Sequence, residues 1–316
     1  LGFFSTADSL VANNLVLVDE VRDKLRQVVR GMPAAERVYA EIKARASTRF
    51  APLTVANIVG PDNAALLAGS HVVSGAFTVD AWREYVQNAV KDAATNEQSN
   101  ADWVLQTSTK DDLTLEGSPE QIQKALIAMY KRDYTDEWKQ FVQGVSVSSF
   151  ETFPDAITAM DRLGDAQLSP VGTLIKVVFD QTAWDNPAMA NLGLERAQKG
   201  FVEWFKRSVL QMAPSRVQVD VNMSAKQTAI PMGPVGKEFA GFGRLVIPRD
   251  KADPLLDTYL KQLSKVRTRL NQLKNQGDPG PGSLKLMRET IDGNGSEMAE
   301  TLRFVDEQML TGLPDN

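Results

Sequence analysis

YKRDYTDEWKQFV, residues 130–142, sets Tyr130, Tyr134 and Trp138 four residues apart among charges. Turned outward, the rings would form a binding surface between Lys and Arg. Turned inward, they are the core stripe of a helix. The spacing decides between the two. Ile122, Leu126, Met129, Tyr130, Tyr134, Trp138, Phe141 and Val142 continue at helical period over more than twenty residues, and the opposite face collects Lys124, Lys131, Asp136 and Lys139. A binding surface does not require such regular periodicity, whereas a packed helix does. Upstream, Ser118, Pro119 and Gln121 supply a capping hydroxyl, a proline for the first helical position and a glutamine three residues on, so the helix starts there.

Working outward, the same period predicts a mainly α protein: multiple helices with at most a small β-hairpin. Helices are expected over 7–29, from Pro33 onward, and from Thr78 through VDAWREYV, where Trp82, Tyr85, Val86 and Ala89 share a face. Others are expected at 152–163, 170–180, 188–210 (with Phe201, Trp204 and Phe205), 252–275 (with Leu256, Leu260, Leu263 and Leu270) and within 296–311. GPDNAALLAGSHVVSGAF, residues 60–77, reads as a connector with short ordered pieces, and DAATNEQSNA, residues 92–101, as a polar loop. DWVLQTSTKDDLTLEGS, residues 102–118, carries a weak hairpin signal. RVQVDVNM, residues 216–223, alternates Val217, Val219 and Val221 as a strand would, with GRLVIPRD, residues 243–250, as its possible partner; DPGPGS, residues 278–283, reads as a break. The expected organisation is an N-terminal helical region over 1–115 and a central helical region over 116–213. A connector over 214–250 and a C-terminal helical hairpin over 251–316 complete it. The core candidates are Trp82, Tyr85, Tyr130, Tyr134, Trp138, Phe141, Phe201, Trp204, Phe205, Leu256, Leu260, Leu263 and Leu270.

Composition narrows the function classes. With 43% hydrophobic and 24% charged residues over 316 positions, the chain has ordinary globular make-up and length enough for a substantial core. A net charge of −5 gives no general attraction to phosphate backbones. The locally basic residues from Arg22 to Arg37 are interrupted by acids and lack the interleaved rings of a nucleic-acid platform. There is no cysteine, hence no disulfide, thiolate nucleophile or cysteine metal site. The first eighteen residues contain Asp8 and lack a basic leader, which fits neither a signal peptide nor a spanning helix. The start without methionine and the stop just after a helical pattern read as a piece of a longer protein.

Tests for chemistry return little. His71 is the only histidine, which excludes multi-histidine metal sites, and SHVVSG holds no nucleophile pattern. GPVGKEFAGFG, residues 233–243, fails as a phosphate loop: only Pro234 and Val235 separate Gly233 from Gly236, and Glu238 follows Lys237 where a hydroxyl is needed. It reads as a turn-rich connector. Asp19 with Asp23, and Asp133 with Glu137, share helix faces by spacing and read as solvated surface carboxylates. Asn222-Met-Ser and Asn294-Gly-Ser are formal glycosylation sequons. No catalytic constellation, cofactor or metal is expected.

The order of several segments resembles the periplasmic region of the IcmF/VasK (TssM) family, the inner-membrane component of bacterial type VI secretion machines. The resemblance runs through ERVYAEIKARA (36–46), VSGAFTVDAWREYV (73–86), ADWVL (101–105) and YKRDYTDEWKQFV (130–142). It continues through FPDAITAMDRLGDAQLSPVGTLIKVVFDQT (153–182), FAGFGRLV (239–246) and the closing helices. It implies a structural scaffold, not an enzyme, in the periplasmic portion of an inner-membrane protein. Its implied partners are other copies of the same protein, inner-membrane secretion components and, through the parent protein, an outer-membrane lipoprotein. Neither nucleic acid nor a small-molecule substrate is implied. The family continues into a β-rich C-terminal region that carries much of the lipoprotein surface and is not part of this sequence. Two other classes stay open: a helical regulatory or binding module, which would show an exposed apolar patch, and a glycan hydrolase with dispersed carboxylates, which would need paired acids in a cleft.

Overall fold

The computed structural model describes residues 33–95, 117–186, 232–248 and 252–311. The helices expected over 7–29 and 188–210, most of the weak 102–118 hairpin, the 216–223 strand, and Phe201, Trp204 and Phe205 lie outside the described residues. In chain order the helices are α1 (Ala34–Arg49), α2 (Val55–Val59), α3 (Val79–Ala81), α4 (Gln87–Thr95), α5 (Pro119–Gln143), α6 (Phe153–Leu163) and α7 (Pro170–Thr182). They continue with α8 (Pro234–Glu238), α9 (Ala240–Val246), α10 (Leu255–Lys274), α11 (Gly280–Ile291) and α12 (Glu297–Phe304). A π turn, Trp82–Val86, joins α3 to α4. Among the described residues the protein is thus predominantly helical, with one small antiparallel sheet.

That sheet is not a hairpin of neighbours. β1 (Leu67–Gly69) pairs with β2 (Val145–Val147), in the register Leu67 with Val147, Ala68 with Ser146 and Gly69 with Val145. The first four residues of GRLVIPRD, expected as a possible strand partner, instead form the end of α9, and the supposed turn-rich connector before it contains α8. A three-residue apolar run, Leu245–Val246–Ile247, just before a proline resembles a strand, but packing of α9 on α7 and α10 overrides it. Ile247, the residue before Pro248, is extended, as the proline ring favours. DPGPGS is likewise less of a break than its composition suggests. α11 begins inside it at Gly280, with Pro281 in the first turn, where a missing N–H costs nothing. The polar loop expected from 92 yields its first residues to α4, which runs to Thr95.

Local chemistry sets most boundaries. At the start of α5 the Ser118 N–H donates to Gln121 Oε1 at 2.9 Å, and the Gln121 N–H donates to Ser118 Oγ at 3.4 Å, the reciprocal pair that the sequence predicts. Thr54, Thr152, Ser169 and Ser296 cap α2, α6, α7 and α12 in the same way. Between α6 and α7, Asp165 accepts from the N–H groups of Gln167 and Leu168. Those two donors, with Arg267 nearby, hold its carboxyl below the usual range.

The chain divides into two compact units, Leu1–Phe50 with Asp80–Lys131, and Ala51–Val79 with Arg132–Asn316. In the first, α1 packs against the π turn and α4. Val38, Tyr39, Ile42, Val86, Val90, Leu126 and Tyr130 are buried there. Trp82 and Tyr85 are only half-buried: Trp82 stacks on Tyr130 at 5.3 Å, and the Arg49 guanidinium lies 5.5 Å from the Tyr85 ring. In the second unit, α7 packs against α2 and α9, and α10 packs against α6, α9 and α12. α10 buries Leu256, Leu260, Val266 and Leu273, while Leu263 and Leu270 are half-buried. Among the described residues no helix is long and apolar enough to cross a membrane.

Candidate functional site

Tyr134, Trp138 and Phe141 of α5 build a buried joint in the second unit. Tyr134 and Trp138 have no exposed surface, and Phe141 is equally buried. Large rings bury large areas, but Tyr and Trp each carry one polar atom that must find a partner inside. The Trp138 Nε1–H donates to the Phe77 carbonyl at 2.9 Å. The Tyr134 hydroxyl donates to the Gln181 carbonyl at 2.5 Å. The Gln181 side chain in turn accepts from the Val79 N–H at 2.9 Å, meeting the first donor of α3. Two turns of α5 therefore clamp the connector ending at Val79 and the last turn of α7.

Rings fill the space around these bonds. Phe77 stands edge-on to Tyr134 at 6.2 Å, Trp184 edge-on to Tyr134 at 5.5 Å, and Phe141 against Trp138 at 5.2 Å. The next residue after Trp184 extends the joint. Asp185 is buried, its carboxylate accepts from the Val235 N–H at 3.0 Å, and its carbonyl accepts from the Gly233 N–H at 2.9 Å. The start of α8 is thus capped by a carboxylate fifty positions earlier. This explains physically why the GPVGKE loop is no phosphate cradle: the Val235 donor there already faces an anion. Lys139 of α5 closes the far side with a 2.9 Å bridge to Glu238, whose hydrogen bond and charge raise the Lys139 pKa.

Sequence reasoning reached Tyr134, Trp138 and Phe141 through their period. It missed Gln181, Asp185 and Gly233, which have no local signal beyond a Gly-Pro pair at the start of α8. The hydrogen bonds of Trp138, Tyr134, Gln181 and Asp185 in the joint each hold a backbone group. Tyr134→Phe is expected to lose about 1–3 kcal/mol in urea unfolding, because the Gln181 carbonyl would be left buried without this donor. Unchanged stability would show the bond to be idle.

A second polar pair lies on α5. His71 Nε2 and Glu137 Oε2 are 2.8 Å apart, with side chains 24% and 27% exposed. The reading of Glu137 as plain solvated surface is corrected: it ties α5 to the segment after β1. Asp133 is instead held by its neighbour Arg132 at 3.2 Å. Because the pair remains wet, Glu137→Gln should change stability by less than about 1 kcal/mol; a chemical-denaturation loss well above that would mark the pair as a main support. Among the described residues no group of three or more His, Asp or Glu side chains could hold a metal ion.

Comparison with known proteins places this architecture. A solved structure described as "Type VI secretion system membrane core complex" has a chain similar in fold, with TM-score 0.54 and 19% sequence identity. The match covers 88% of this chain and 50% of that one, so the chain spans about half the length of its structural relative. No curated protein matches. The family model described as "IcmF-related: Intracellular multiplication and human macrophage-killing" matches residues 5–183, more than half of the sequence, and the chain belongs to the IcmF-related family.

Proposed function

We propose that this chain is a non-enzymatic scaffold segment of a type VI secretion membrane complex. It stands in the periplasm as part of an inner-membrane protein and mediates subunit assembly. The observation that carries this reading is family membership, supported by a fold similar to a chain of such a complex. The buried joint suits the role, since its polar groups brace the second unit from within. Its partners are other copies of the protein and inner-membrane secretion components. The outer-membrane lipoprotein is reached through the parent protein, mainly beyond the residues of this chain.

A second reading, a regulatory or binding module, draws on α11, where Leu284, Met287 and Ile291 stand exposed at helical spacing. Proximity crosslinking and co-purification from a Gram-negative cell carrying the intact parent protein distinguishes the two. Recovery of several envelope-spanning secretion components through this region supports the scaffold. Recovery of none, with correct insertion and expression, overturns it; a single regulatory protein captured on α11 would establish the module.

A further inference from the structure

The turn between α11 and α12 reads DGNGS, residues 292–296, and holds two pairs with the same latent chemistry, Asp292-Gly293 and Asn294-Gly295. In each, closure of the following backbone nitrogen on the side-chain carbonyl carbon makes a five-membered ring, and glycine leaves the approach uncovered. The structure separates them. The Gly293 N–H is engaged, donating to the Thr290 carbonyl at 3.2 Å. Among the described residues no hydrogen bond engages the Gly295 N–H. Asn294 and Gly295 are both exposed. Gly295 lies at φ +82°, and a Cβ placed there would meet only Glu289 Cγ, at 4.0 Å. Asn294 is held beside this open nitrogen: its own N–H donates to the Glu289 carbonyl at 3.1 Å, and its side-chain Nδ2 donates to the Asp292 carbonyl at 3.3 Å.

We propose that Asn294 is a site of spontaneous deamidation, driven by the backbone nitrogen of Gly295 and water. The Gly295 nitrogen gives its proton to water and bonds to Cγ of Asn294. The Cγ–Nδ2 bond breaks and ammonia leaves, giving a cyclic imide. Water then opens the imide at either carbonyl. One opening yields aspartate in an unaltered main chain. The other yields isoaspartate, whose main chain runs through Cβ and Cγ and is longer by one carbon. No electron is gained or lost, and water is the only reagent.

The placement gives the change a structural consequence. Ser296, two residues on, is buried; its hydroxyl accepts from the Ala299 N–H at 3.0 Å and lies 3.0 Å from Thr290 Oγ1. It caps α12 and links that cap to α11. Isoaspartate at 294 lengthens the chain immediately before this cap and loosens it.

The test ages the full chain in mildly alkaline buffer and follows Asn294 by peptide mass spectrometry, with isoaspartate detected by its separate elution. The Asn294 peptide is expected to gain one mass unit at least tenfold faster than other asparagine peptides, a barrier difference of about 1.4 kcal/mol. Its rate in the folded chain should lie within a few-fold of that in urea, whereas isomerisation at Asp292 should be slowed by folding. The aged protein should melt roughly 2–4 °C lower, as expected for one lost cap. Asn294→Gln, whose longer side chain cannot close the five-membered ring, should abolish both the mass gain and the drift in melting. Tenfold or greater protection of Asn294 by folding, or an equal drift in Asn294→Gln, would overturn the proposal.

Discussion

Trp138→Ala is expected to remove about 3–5 kcal/mol from the stability of the protein. The ring is fully enclosed, so truncation leaves a large cavity where Phe141 and Tyr134 now make contact. It also removes the Nε1–H bond to the Phe77 carbonyl, which adds the loss of a buried hydrogen bond to that of the void. Trp138→Phe separates the two costs: it keeps most of the ring and forfeits the N–H, and should lose about 1–3 kcal/mol. Both are read as a lowered urea midpoint at unchanged slope. A loss below about 1 kcal/mol for the alanine variant would refute the joint as a support of the second unit, since no enclosed tryptophan can be cut to a methyl so cheaply.

Gly233→Ala should be the next most damaging. A Cβ at this position would stand 2.1 Å from Asp185 Oδ2 and 2.2 Å from Oδ1, inside the carboxylate that caps α8. The carboxylate cannot swing aside without abandoning the Val235 N–H, so the expected cost is about 1–3 kcal/mol. The claim is specific to one pair of residues, and a double-mutant cycle tests it. Once Asp185→Gly has removed the obstacle, the added methyl should cost less, with a coupling of about 0.5–3 kcal/mol. Strict additivity of the two substitutions would show that Gly233 is needed for some other reason.

What could be read from the sequence was what repeats locally. The inward face of α5 is visible because its ring spacing matches one helical turn, and the caps are visible because Ser118 and Gln121 lie three residues apart. α9 and α11 were hidden by the same locality. Their Gly and Pro residues carry turn signals at short range, and only packing on α7, α10 and α12 makes them helices. The pairing of Leu67 with Val147 has no sequence signature, since three-residue strands are too short to show alternation. The site divides likewise. Tyr134 and Trp138 announce themselves, but Gln181 and Asp185 acquire their meaning only from the backbone N–H groups that the fold brings to them.

The interleaved order of the two units has a consequence for biosynthesis. The segment Ala51–Val79 belongs with residues from Arg132 onward, while Asp80–Lys131 belongs with the first unit. Leu53, Val55, Ile58, Leu67, Val73 and Phe77 are all buried in the finished protein. Yet they leave the ribosome before the residues that cover them. Phe77 must wait for Trp138, 61 positions later. At about 5–20 residues per second, this leaves an apolar segment without its partners for roughly 3–12 s during every round of synthesis. During that interval Ala51–Val79 is a stretch of the nascent chain on which a holding chaperone would have apolar surface to cover.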